Sequence, residues 1–423
     1  MLGVVGLLCG YLAQKTGYIK SLFAGMILRI IAFALLSIPT LYTVKWSLAF
    51  FAVGQGFSYT AYLLVLGRVY AKNDLRRDSG FTFSTFIMNI GFLISGVAGF
   101  LILHVNYSVT FLIAGFTLLG GTAIYLFGLK HIKPHPTQTL TPELKTSKTI
   151  HWLILTICSI IMLPLVYLSL KNLEVANALI IWSSIGATIF WIYITIKSKS
   201  SSRNPLIVLL ILCGVQIIWN GLHYCESSSL IIFIKNNINK KLFGYFIPAS
   251  SYSIDINTIY TLILTAFFSF FWLYLARKKK NPSIPGKLTF GMLSIGIGWG
   301  ILAIITRNNP SQLSSIWWVI LAYFPIIVSG AILYPIGNAM IGKYTPVKWE
   351  GPMMATFQLY TMGTGLLLGS KFADLTAFSA KTSLTASNFI FSRGFAWIAL
   401  VGLATGIAML IALKWMKKMI KST

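Results

Sequence analysis

Eight acids and five histidines are all the carboxylate and imidazole chemistry this chain carries. The acids are Asp74, Asp78, Glu143, Glu174, Glu226, Asp255, Glu350 and Asp374. Seven fall in loops or at the ends of apolar segments; only Glu226 falls inside one. His223 stands three residues earlier, one helical turn away and so on the same face. A buried imidazole beside a carboxylate is a proton site that titrates as a coupled unit. Inside a membrane such a residue is a functional hypothesis by default, because its burial costs at least ~2.5–3.5 kcal/mol. The alternative is that the helix ends near Tyr224 and water solvates Glu226. No metal-ligand spacing, nucleophile–base arrangement or phosphate loop accompanies these residues, so neither an enzyme, a cofactor nor a metal is expected. Cys9, Cys158, Cys213 and Cys225 lie in or beside apolar segments, without disulfide or metal spacing, and read as small buried side chains.

The elements that must hold this pair are membrane helices. Hydrophobic residues make up 56% of the chain and charged residues 10%, where a soluble domain carries roughly 25% charged. Apolar stretches near the ~20 residues that span a bilayer recur from end to end, too long and continuous for barrel strands. The fold class is therefore all-α and polytopic. A net charge of +26 would suggest nucleic acid in a soluble protein, but its distribution says otherwise. With the Lys15–Lys20 turn taken as cytoplasmic and the sides alternating, 24 of the 34 Lys and Arg fall on that side and 9 on the other, with Arg29 inside a span. This is the positive-inside bias; it places the C-terminus in the cytoplasm of a bacterial inner-membrane protein and leaves no nucleic-acid partner. The partners expected are the lipid bilayer, protons and a small solute. No filter-like repeat or ring of charge favours a channel over a carrier.

Spans are expected near 1–14, 21–43, 47–70, 81–104, 108–129, 150–170, 175–196, 205–233, 257–276, 286–306, 315–342, 352–371 and 391–414, about thirteen in all. They group as an N-terminal bundle over 1–130, a connector with two extra helices over 131–203, and a six-helix bundle over 204–423. Fourteen residues of helix cover about 21 Å of a ~30 Å hydrocarbon core. The first span therefore reads as the remainder of a longer helix, whose start lies upstream or has been lost.

The segment Tyr70-Ala-Lys-Asn-Asp-Leu-Arg-Arg-Asp-Ser-Gly-Phe81 resembles the signature connection of the proton-dependent oligopeptide transporters, a branch of the major facilitator superfamily. Its helix runs on in the register of an F-x-x-x-Y-x-x-x-N pattern, from Phe81 to Asn89. Gly10-Tyr-Leu-Ala-Gln-Lys-Thr-Gly17 is similar to the superfamily's cytoplasmic turn, with Gln14 where its acid stands, and Gly54-Gln-Gly56 ahead of Gly67 matches the fourth helix. Further along, Ile247-Pro-Ala-Ser250, Asn281-Pro-Ser-Ile-Pro-Gly-Lys287, Tyr334-Pro-Ile-Gly337 and the run from Pro346 to Met354 follow in family order. The resemblance implies two six-helix bundles, two inserted linker helices and a missing first helix. It also implies a secondary active transporter moving di- or tripeptides, or related small solutes, with protons by alternating access.

In such a carrier a carboxyl is neutral when buried and ionised beside a cation, so a salt bridge made in only one state couples proton to substrate. The family's charged groups are absent from the corresponding positions. The first-helix E-x-x-E-R motif is missing, the fourth-helix lysine position is Tyr59, and the tenth-helix glutamate position is Gly330. The seventh-helix acid falls on His223 or Tyr224, depending on where a one-residue insertion is placed. Thr85 stands for a tyrosine and Phe357 for a tryptophan, while Asn89 and Asn257 keep amides able to bind peptide backbone. The resemblance thus implies substrate contacts at Asn89, Asn257, Tyr59, Thr85 and Phe357, against the plainer reading of interhelical packing and hydrogen bonds. His223 and Glu226 are then the candidates for a replacement proton site. The alternative is a degenerate, non-transporting homologue or truncated pseudogene product with the same fold.

Overall fold

The computed structural model describes residues 2–71, 74–104, 106–131, 148–242, 245–246, 257–308, 310–379 and 382–421. Glu143, Asp255 and the Ile247–Ser250 stretch lie outside the described residues. The helices, in chain order, are α1 (Leu2–Thr16), α2 (Tyr18–Leu36), α3 (Leu41–Val69), α4 (Arg77–His104), α5 (Tyr107–Gly128), α6 (Lys148–Ser169), α7 (Leu173–Lys197), α8 (Ser200–Cys225), α9 (Ile231–Asn237), α10 (Asn257–Arg277), α11 (Ile284–Asn308), α12 (Ile316–Tyr344), α13 (Glu350–Leu359), α14 (Leu366–Asp374) and α15 (Leu384–Lys421). A π-helical turn, Glu226–Leu230, joins α8 to α9 without ending the helix, and another, Tyr360–Gly365, joins α13 to α14.

Local chemistry starts and stops these helices where a polar side chain can replace the missing backbone bonds. Thr40 and Thr43 form a reciprocal capping box at α3. The Asn172 side chain accepts from the backbone of Glu174 at 3.0 Å and of Val175 at 3.2 Å at the start of α7. Gly17, at φ 99°, makes the turn between α1 and α2 that residues with a Cβ rarely adopt.

Helix occurs at each of the thirteen expected spans, but among the described residues ten helices are long and apolar enough to cross a membrane. The helices over 2–16, 77–104 and 350–374 are not among those ten. The first has only 15 residues. Among the described residues, length and composition therefore support ten crossings.

The chain forms two compact units. The first holds Met1–Arg77, Ile94–Leu206 and Ile341–Thr364. Its apolar core joins Val5 and Cys9 of α1, Val53 and Phe57 of α3, and Leu155 and Val166 of α6. Within it, Trp191 Nε1 donates to Thr356 Oγ1 at 2.9 Å, and Thr188 and Tyr360 share a hydrogen bond of 2.7 Å, tying α7 to the α13 stretch. The second holds Asp78–Leu93, Ile207–Met340 and Gly365–Thr423. Here α11 and α15 run antiparallel in close contact: a Cβ on Gly296 would stand 2.7 Å from the Leu403 nitrogen, and one on Gly402 3.0 Å from Gly296 Cα. Only glycine admits backbones at that separation.

Candidate functional site

The second unit holds an open cavity of about 290 Å³, lined from four helices. Thr85 and Asn89 come from α4, Trp219 and His223 from α8, Asn257 and Thr261 from α10, and Gly330 and Tyr334 from α12. Each pair sits at i, i+4, the spacing that stacks side chains along one helical face. The polar groups are held by local bonds. Asn89 Nδ2 donates to the Thr85 carbonyl at 2.8 Å, and Thr85 Oγ1 to that of Phe81 at 3.1 Å. Trp219 Nε1 donates to Ser329 Oγ at 3.0 Å, which fixes the indole, and the His223 ring stacks on it, with centroids 5.1 Å apart and planes 14° from parallel.

Glu226 stands behind this wall. Its residue is 1% exposed, so the solvated alternative read from the sequence is replaced: the helix does not end near Tyr224 but runs on through the π turn. A π turn holds one residue more than an α turn and recurs at functional sites. Glu226 Oε1 accepts a hydrogen bond from Asn257 Nδ2, and Asn257 Oδ1 accepts from Thr261 Oγ1 at 3.0 Å. Glu226 Oε2 lies 3.3 Å from His223 Nδ1, but outside hydrogen-bond geometry. Both of these buried atoms lack a hydrogen-bond partner.

At Gly330 a Cβ would meet His223 Cε1 at 3.6 Å and Trp219 at 4.0 Å. The imidazole thus faces the backbone at the position where the resemblance puts a glutamate. A base on α8 has an open face where an acid on α12 would stand.

Of the residues expected from the sequence, Thr85, Asn89, His223 and Asn257 line the cavity, and Glu226 bonds to it from behind. Tyr59, half-buried on α3, and Phe357, buried on α13, belong to the first unit and are not part of this lining. Sequence reasoning missed Trp219, Asn220, Thr261 and Tyr334. The signal was present for two of them: Asn257, Thr261 and Thr265 repeat every four residues in an otherwise apolar helix, and Trp219 precedes His223 by the same interval.

Comparison with known proteins adds the decisive observation. Residues 23–390 match the model of the POT family. The chain belongs to the POT family. Among its relatives, dipeptide and tripeptide permease B of Aliivibrio fischeri is 26% identical over 378 residues, covering 88% of this chain and 75% of the permease. The di-/tripeptide transporter of Lactococcus lactis subsp. cremoris is 25% identical over 426 residues, covering 96% and 82%. The crystal structure of a POT family transporter in complex with a thioalcohol-conjugated peptide superposes with a TM-score of 0.73 at 21% identity, over 98% of this chain and 86% of that one. The fold of this POT member is thus that of the family's solved transporters, and the chain is a multi-pass membrane protein.

Proposed function

We propose that this protein carries di- or tripeptides, or related small solutes, across a bacterial inner membrane together with protons, by alternating access. Family membership supports a working transporter over a non-transporting homologue, and the bacterial relatives and the positive-inside charge bias support the location and a cytoplasmic C-terminus. The working parts are an N-terminal bundle over 1–130, a connector with two helices over 131–203, and a C-terminal bundle over 204–423. In the second unit, Thr85, Asn89 and Asn257 offer hydroxyl and amide groups to the polar parts of a substrate, with Tyr59 and Phe357 proposed as contacts of the first unit.

One observation carries the coupling. A carboxylate oxygen and an imidazole nitrogen stand 3.3 Å apart beside the cavity, neither of them hydrogen-bonded. Burial without a partner is costly, and a proton bound at either atom, with a small turn of the side chains, lets the two pair. Asn257 links the proton to the substrate, since it bonds Glu226 and lines the cavity. A substrate that takes the Asn257 amide leaves Glu226 with one donor fewer and so shifts its affinity for the proton.

The test is uptake of labelled di- and tripeptides into proteoliposomes under an imposed pH gradient. Gradient-driven uptake by the native chain, lost in His223→Ala and in Glu226→Gln at equal protein content, is the expected result. Equal gradient-driven uptake by both variants would remove the pair from the mechanism.

A further inference from the structure

Two arginines of the second unit take no part in the site above. Arg307 lies in the last turn of α11, and Arg393 lies nine residues into α15. The antiparallel contacts, Gly300 with Ala399 and Ser392 Oγ donating to the Ala303 carbonyl at 3.0 Å, bring them to the same end of the helix pair. There the two helices enclose a groove of about 540 Å³ that both arginines line. Its other walls are mainly apolar, with Ile304, Phe389 and Pro310 among them. Ile304 is 62% exposed and Phe389 69%, so the groove opens on the face that meets lipid. The wall is held in place, since Asn388 Nδ2 donates to the carbonyls of Pro310 at 3.1 Å and Gln312 at 3.3 Å.

The charge at this groove is uncompensated. Among the described residues neither guanidinium has a hydrogen bond or ion pair, and no acid lines the walls. Its depth is set independently by each helix. Arg393 and Lys414 bracket an uncharged stretch and stand 21 residues apart on α15, about 32 Å at ~1.5 Å per residue. Lys287 and Arg307 bracket another and stand 20 residues apart on α11, about 30 Å. Both distances match a hydrocarbon core of ~30 Å. The two arginines therefore lie together at headgroup level, on the side opposite Lys287 and Lys414.

We propose that this groove holds an anionic phospholipid, its phosphodiester between Arg307 and Arg393 and an acyl chain along Ile304 and Phe389. Guanidinium pairs suit a phosphate in charge and geometry. A free phosphate would use the arginines but leave the apolar walls without an occupant, so the lipid is the ligand that fits both.

The experiment titrates the purified full-length chain in neutral detergent with phosphatidylglycerol, phosphatidylcholine and inorganic phosphate, reading bound lipid by native mass spectrometry and the melting temperature in parallel. Phosphatidylglycerol is expected to bind and to raise the melting temperature, and the other two are not. Losing one arginine weakens binding about fivefold, and Arg307→Gln with Arg393→Gln about twenty-five-fold, whereas the double lysine variant, which keeps the charge without the guanidinium fork, falls between the native chain and the double glutamine variant. Phosphatidylcholine binding as tightly as phosphatidylglycerol overturns the proposal, as does phosphate alone giving the same stabilisation. So does undiminished phosphatidylglycerol binding in the double glutamine variant. Should that variant not fold, the two single variants, each keeping one guanidinium, carry the same comparison.

Discussion

Lys287 is the most completely buried charge in the second unit, and replacing it tests how the cavity is built. Its side chain is 0% exposed, its Nζ stands 2.5 Å from Asp78 Oδ2, and Asp78 keeps 12% exposure. The ammonium also lies 4.3 Å from the centroid of the Trp272 ring, a cation–π contact. At an effective dielectric constant near 20, two unit charges at this separation attract by about 7 kcal/mol, against a desolvation cost of several kcal/mol per ion. The net value of the pair is small, but the cost of breaking it from one side is not. Lys287→Met keeps the stem and removes the charge, leaving a nearly buried carboxylate, at about 3–5 kcal/mol. The residual exposure of Asp78 puts the loss near the lower end. Asp78→Asn removes the counter-charge of the fully enclosed ammonium and should cost at least as much. The double variant, with no charge to desolvate, should return to within about 1 kcal/mol of the native chain.

The assay is a double-mutant cycle on unfolding in mixed micelles, with transport measured beside it. The pair sits at the start of α4, where Ser79 Oγ also donates to the Ser269 carbonyl at 2.7 Å. These two ties fix the rotation of the helix that presents Thr85 and Asn89 two and three turns further on. The destabilised single variants should therefore show a raised KM with a smaller change in kcat. Additive losses, with the double variant as unstable as the two singles summed, would refute the coupling. A native-like Lys287→Met would refute the burial argument itself.

Other outcomes follow from the same geometry. Asn257→Ala removes the donor to Glu226 and should lower gradient-driven uptake at least tenfold at normal protein yield, measured in the same proteoliposomes. Gly402→Val should prevent stable packing of α11 on α15, because a Cβ there already stands 3.0 Å from Gly296 Cα. Gly300→Ala, whose Cβ would stand 3.8 Å from Ala399 Cβ, should melt like the native chain. In the Arg-Arg-Asp-Ser-Gly signature the two arginines should behave oppositely. Arg76, 70% exposed and paired with Asp74 at 3.0 Å, can be replaced by alanine without a change in melting temperature. Arg77 is 4% exposed, and Arg77→Ala should lower it by several degrees, whereas Gly342→Ala, whose Cβ meets only the far end of that guanidinium, should lower it less.

What could be read from the sequence was what repeats along a single helix. Apolar run length located helical stretches, and scarcity of acids drew attention to Glu226 and to His223 one turn away. Those features depend only on a residue and its near neighbours. The Asn257–Glu226 bond spans 31 residues and joins two helices, so no periodicity could announce it; each residue was singled out, but for separate reasons. Asp78 and Lys287 are 209 residues apart and both looked like ordinary charges at cytoplasmic helix ends, where positive residues are expected. Their burial comes from helix packing, which the sequence encodes only through glycines at contact points. The π turn shows the same limit more sharply. An extra residue in a helix can be counted from sequence, but its consequence is a rotation of everything after it. Here a π turn runs over Glu226–Leu230, and Glu226, at its start, lies beside His223 and Asn257. Which way a carboxylate on such a turn points is therefore set by the helices packed around it, not by anything a count along one helix shows.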